Sequence, residues 1–153
     1  MTTRSLTDLL RSTKPPWVVL RSIGRGGAPA LDDLHGLLLR TVDGARAATR
    51  AGLLREFALA LEFPAYFEDD WDALEECLGD LEWLPARGYV LIVRDGDLVL
   101  AGLEQERRTW LDILGRVASE WAAQHERPFH TVLMVAEASR ATARAWGVPA
   151  FGR

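Results

Sequence analysis

Leu61-Glu62-Phe63-Pro64-Ala65-Tyr66-Phe67-Glu68-Asp69-Asp70-Trp71-Asp72-Ala73-Leu74-Glu75-Glu76-Cys77-Leu78 decides how this chain folds. Pro64 pushes Phe63 out of the helical region and ends the helix before it. Beyond the loop, Trp71, Leu74, Cys77, Leu78 and Leu81 recur at three-and-four spacing, so they share one helix face. Asp72, Glu76, Gly79 and Asp80 fall on the opposite face, with Glu75 at its edge. Asp69 or Asp70 can cap the first turn. The segment thus predicts a helix end, an aromatic loop and a second helix. The apolar side of that helix faces a sheet and its acidic side faces water.

Working outward, Leu53, Leu54, Phe57, Ala58 and Leu61 predict an amphipathic helix over Arg50 to Leu61. Before it, Gly36 to Val42 reads as a strand entering the turn Asp43-Gly44. After the acidic helix, Leu84-Pro85 to Gly88 makes a break. Tyr89-Val90-Leu91-Ile92-Val93 is a continuous apolar run, the pattern of a strand covered on both faces. Trp110, Leu111, Leu114, Val117 and Trp121 mark another helix, and Phe129 to Val135 the last strand. At the N-terminal end, Leu6, Leu9 and Leu10 form a short amphipathic piece stopped by Lys14-Pro15-Pro16, ahead of a short strand candidate at Trp17 to Leu20. Gly24 to Pro29 reads as loop, and Leu31 to Leu34 as a helical turn. The tail, with Gly147, Pro149 and Gly152, reads as irregular. Helices alternating with short apolar strands give an α/β fold with a small, mostly parallel sheet of three to four strands.

The same stretch dominates the charge. Between Glu62 and Glu82 lie nine acidic side chains and no Lys or Arg, whereas the whole chain is only −4. A block of one sign repels itself, which makes a cationic partner the natural reason to keep it. The helix dipole accounts for acids at Asp70 and Asp72. It does not account for Glu76, Asp80 and Glu82, which approach the negative end. A purely solvated face would also interleave Lys at i+4.

These residues resemble the barstar family, small intracellular inhibitors of ribonucleases. The match runs from Leu61-Glu62-Phe63-Pro64 through Tyr66-Phe67 and Asp70-Trp71-Asp72-Ala73-Leu74 to Cys77-Leu78 and Leu84-Pro85. Val42-Asp43-Gly44 and Tyr89-Val90-Leu91 fit the same layout. The resemblance covers roughly residues 37 to 136 and implies a barstar-like domain over 36–138. That leaves an N-terminal extension over 1–35 and a C-terminal tail over 139–153. It also implies that the loop and acidic helix plug the active site of a basic ribonuclease or ribonuclease-like toxin. Tyr66 is then the first aromatic of the loop, and Asp70 stands where the family often has asparagine. Asp72 matches an interface aspartate, and Glu76 falls where the prototype has its strongest interface aspartate. With Asp69, Glu75 and Asp80 these form the expected partner-binding set. Three departures stand out: Glu76 is one methylene longer than aspartate, Glu68 replaces a frequent glycine, and Glu75 and Leu81 replace tryptophans of the prototype.

Other classes fit less well. Asp70, Asp72 and Glu76 read as solvent-facing, with nothing apolar around them to raise a pKa for acid–base catalysis. His35, His125 and His130 are dispersed, no Gly-x-Ser-x-Gly elbow occurs, and Cys77 lies on the apolar side of its helix. No enzyme activity is therefore expected. Asp70-x-Asp72 with Asp69 and Glu76 offers oxygen ligands, but the twelve-residue calcium loop is missing, so no metal or other cofactor is expected. The glycine cluster at 24–27 lacks the Lys-Ser/Thr of a phosphate loop. A pI near 5.4 argues against direct nucleic-acid binding. One cysteine, no signal-type start and no membrane-length apolar run suit a cytoplasmic protein, expected to be monomeric when free.

Overall fold

All five residues of the Tyr89–Val93 run are buried, as a strand with both faces covered requires. The structure, a computed structural model, describes residues 5–23 and 34–151. Strands β1 (Val18–Ser22), β2 (Leu37–Asp43), β3 (Gly88–Arg94) and β4 (Phe129–Val135) form one sheet in the order β1-β4-β3-β2. Every pairing in it is parallel. The helices are α1 (Leu6–Arg11), α2 (Arg50–Ala60), α3 (Trp71–Asp80), α4 (Glu104–Glu120) and α5 (Arg140–Trp146). The expected α/β class and small parallel sheet are both present.

Alternation along the two central strands separates two cores. Tyr89, Leu91 and Val93 of β3, with Phe129, Leu133 and Val135 of β4, face α2, α3 and α4 in the larger one. Val90 and Ile92, with Val132 and Met134, face Leu6, Leu9 and Leu10 of α1 in the smaller one. Each fully buried leucine in these layers contributes roughly 1.5–3 kcal/mol. The turn read at Asp43-Gly44 joins β2 to a short 3₁₀ helix, Gly44–Arg46. A Cβ at Gly44 would collide with the carbonyls of Arg94 and Asp95, so only glycine fits under the end of β3.

The described residues ahead of position 24 belong to the same folded unit. β1 pairs with β4 from Val18 opposite Thr131 to Ser22 opposite Val135, and α1 covers the second face of the sheet. His130 of β4, buried among these groups, has its Nε2 2.7 Å from the Ser12 carbonyl at the end of α1. The glycine cluster and the turn read at Leu31–Leu34 lie outside the described residues, except for Leu34.

The tail differs from the irregular segment expected. Ser139 caps α5 through its hydroxyl, and the chain then returns to the sheet, where Ala150 bridges to Leu20 of β1. Leu20 donates to the Pro149 carbonyl at 2.8 Å, and Phe151 donates to the Leu20 carbonyl at 2.8 Å. α5 buries no residue of its own, so no apolar periodicity marks it in the sequence. Its Trp146 lies half-buried beneath the Arg107 guanidinium, 4.4 Å from the ring centroid.

Candidate protein-binding site

The local sequence places the acidic surface on a rigid base. The Asp70 carboxylate accepts from the Ala73 backbone N–H at 2.7 Å, and so fixes where α3 begins. Leu74, Cys77, Leu78 and Leu81 are buried beneath the helix, and the Trp121 indole donates to the Leu78 carbonyl at 2.9 Å. Half-buried Trp71 donates its indole N–H to Glu106 of α4 at 2.9 Å. Asp72, Glu76 and Asp80 are exposed on the other side, as the spacing predicts.

The aromatic pair of the loop splits. Phe67 turns inward onto Phe63, with ring centroids 4.9 Å apart, and Phe63 packs edge-on against Trp83. Trp83 in turn donates to the Leu61 carbonyl at 3.0 Å, closing the loop from below. Tyr66 points outward and is 66% exposed, rare for so large an apolar group.

Between loop and helix lies an open hollow of about 410 Å³. Tyr66, Glu68, Asp70, Asp72 and Glu76 line it, together with Phe67, Ala73 and Cys77. Four of the seven expected site residues therefore meet at one place, namely Tyr66, Asp70, Asp72 and Glu76. Asp69 is exposed in the loop outside the hollow, and exposed Asp80 ends α3. Among the described residues, Glu68, Asp70, Asp72 and Glu76 form no ion pair.

Glu75 is placed differently. Both its oxygens accept from Arg116 of α4 at 3.0 Å, in a two-pronged pair that ties α3 to α4. Glu62 is likewise held by Arg40 of β2 at 3.0 Å. Nothing near either glutamate in the sequence signals this, because Arg116 lies on the far side of a strand and Arg40 precedes a whole helix. Glu68 also lines the hollow, although the sequence marks it only as the replacement of a frequent glycine and not as a binding residue.

The electrostatics follow from this crowding. The Tyr66 phenol is held above its usual pKa, first by desolvation and then by the negative fields of Asp80, Glu82 and Glu76. Burial, reinforced by Glu76 and Asp80, pushes the Cys77 thiol up and keeps it protonated. Glu75 is held below the ordinary carboxylate range by its hydrogen bonds from Arg116, an effect partly offset by burial. A neutral phenol beside clustered carboxylates offers a hydrogen-bond donor, an aromatic face and a field that concentrates cations. Among the described residues no three His, Cys, Asp or Glu side chains converge as a metal set, and no helix is long and apolar enough to cross a membrane.

Comparison with known proteins places this arrangement. The family model described as Barstar (barnase inhibitor) matches residues 37–134, from the start of β2 to the penultimate residue of β4. No curated protein sequence matches the chain. Among solved structures, a chain of the Drosophila ORC complex bound to AT-rich DNA and Cdc6 is similar over 86% of this chain, at 16% identity with a TM-score of 0.45. This chain spans 46% of that one's length, a likeness too loose to carry an argument.

Proposed function

The chain belongs to the barstar (barnase inhibitor) family, and on that premise we propose that it is an intracellular, non-catalytic inhibitor of a barnase-type ribonuclease. The loop 64–70 and helix α3 enter the basic active site of that enzyme and occupy the place of RNA. The observation that carries this reading is the hollow in which Glu68, Asp70, Asp72 and Glu76 stand without cationic partners among the described residues, beside an outward-facing Tyr66. A ribonuclease cleft that holds phosphate with Arg, Lys and His supplies the missing charges. Because the carboxylates sit on a capped and packed helix, little side-chain and backbone freedom is lost on docking. The surplus of acid also speeds encounter in a salt-dependent way.

A variant of this reading has its own support. Glu68 adds a carboxylate to a loop that is close-packed in the family, and Glu76 reaches one methylene further than aspartate. Glu68 alters the shape and charge of the hollow and Glu76 its shape, which favours a target other than the prototype's enzyme. The protein is then an immunity or regulatory protein directed at a different toxin or partner.

Titration calorimetry against a barnase-type ribonuclease, at low and moderate salt and with RNA cleavage followed in parallel, tests the proposal. One-to-one binding that weakens with salt and stops cleavage supports ribonuclease inhibition. Absence of binding to any such enzyme, with binding to a different basic toxin, moves the conclusion to the variant.

A further inference from the structure

Along the outer side of α4, Glu104, Arg108, Asp112 and Arg116 alternate in sign at every fourth residue. Such a row is one of the ridges that a helix offers to a second helix. Its signs also suit bridges within α4, since residues four apart reach each other. Those bridges are not made. Glu104, Arg108 and Asp112 are all exposed, and none forms an ion pair among the described residues. Arg116 is held from the side, by Glu75 of α3.

The neighbouring row of the same helix runs through Leu111, Gly115 and Ser119. Gly115 lies in the interior of this 17-residue helix, where glycine is the least favourable residue apart from proline. No internal packing demands it, since an added Cβ would meet nothing within 4 Å. A local rule broken without an internal reason marks a place of function, and close approach of another backbone is one use of glycine. Apolar surface adjoins this row, because two hollows of about 280 and 150 Å³ beside it share Leu111 and half-buried Trp146.

The balance of charge identifies what approaches. Two acids and two arginines in alternation answer neither an acidic nor a basic partner. They answer the same row turned end for end. When two copies of α4 lie antiparallel about a two-fold axis between Arg108 and Asp112, Arg108 of each copy faces Asp112 of the other. The same register sets Glu104 against the Arg116 position of the second helix. Every pairing then occurs twice, as a two-fold contact requires. We propose that the outer face of α4 is the interface of a homodimer, in which the ridges of the two helices interdigitate at a crossing of about −50°. Gly115 lets the second helix come close. Asp72 and Glu76 lie on α3 outside this contact, and the inference does not rest on ribonuclease inhibition.

Sedimentation equilibrium of the full chain from about 1 μM to about 1 mM tests this, and the mass is expected to rise from monomer toward dimer. Arg108→Glu and Asp112→Arg each set like charges opposite one another twice, and each should weaken association about tenfold or more. Mixed in equal amounts, the two variants should associate again, because both pairs of the mixed dimer are then opposite in sign. The double variant should associate by itself for the same reason. This recovery separates lost association from lost folding. Gly115→Leu should weaken association as much, while the melting temperature of the dilute protein holds or rises. A monomer at every concentration, association that both single reversals leave unchanged, or single variants that stay monomeric on mixing overturns the proposal.

Discussion

Asp72 and Glu76 share one exposed face of α3, and neither forms an ion pair among the described residues. Asp72→Ala and Glu76→Ala should therefore each weaken the proposed inhibitory complex by about 2 kcal/mol or more, the scale of interface hot spots (the family's prototype complex helped define that scale). Their melting temperatures should stay close to wild type, and calorimetry beside thermal denaturation checks both halves. Glu75 behaves in the opposite way. Its folded-state pKa lies below the ordinary value of 4.5, so its pair with Arg116 stabilises the protein above that pH and loses its effect as pH falls through the lowered value. With side-chain exposures of 31% and 55% the pair is worth under about 1 kcal/mol. Urea midpoints of wild type and Glu75→Gln should differ slightly at pH 7 and converge as the pH falls through the lowered pKa. A gap that persists at low pH would assign the difference to something other than the ion pair. At this scale the sequence disclosed side-chain type and helix face, which is why Tyr66, Asp70, Asp72 and Glu76 gather where the spacing put them. Which acids are already neutralised depends on Arg40 and Arg116, and those come near only once the sheet and α4 are in place.

Among the elements, α3 was the most legible because three signals agree on it: the proline before it, the cap and the apolar stripe. β3 and β4 were nearly as clear, since a strand covered on both faces leaves an unbroken apolar run. α5 was opaque because none of its residues is fully buried and it is held by two devices that leave no periodic trace. One is the Ser139 cap. The other is Arg107, whose guanidinium donates to the Val99 and Leu100 carbonyls at 3.3 Å each while lying over the Trp146 ring. Burial lowers the pKa of Arg107, but an arginine stays charged under any ordinary condition. Arg107→Met keeps much of the stem and removes both the donors and the cation. It should cost about 1–3 kcal/mol by leaving two carbonyls unsatisfied. Amide exchange over 140–146 should quicken far more than over α3. Uniform exchange across the chain would mean that Arg107 is not a specific clamp on α5.

For the molecule as a whole, the segment before residue 36 matters more than its lack of counterpart in the family match suggests. Leu9 and Leu10 are fully buried against the back of the sheet, and β1 closes the flank of β4. A chain trimmed to 36–153 retains everything the family model matches, yet bares Val90, Ile92, Val132 and Met134. Leu9→Ala should cost about 2–5 kcal/mol, as deletions in a closed core do, and the trimmed chain should lose cooperative melting or aggregate. Cooperative unfolding of the trimmed chain at the wild-type temperature would show that the first layer is dispensable. The sequence revealed the strand and the short helix but not their destination, because parallel pairing leaves no turn signal between partners distant in the chain. That distance also acts in time. β1 leaves the ribosome ahead of its partner strand β4, which begins about 110 residues later. At about 5–20 residues per second the nascent chain waits several seconds or more with Leu6, Leu9, Leu10 and Val19 unsheltered. Closing so long a loop is slow in any case. The acidic helix can assemble with β2 and β3 while that wait lasts, so the acidic surface takes shape before the sheet beneath it is complete.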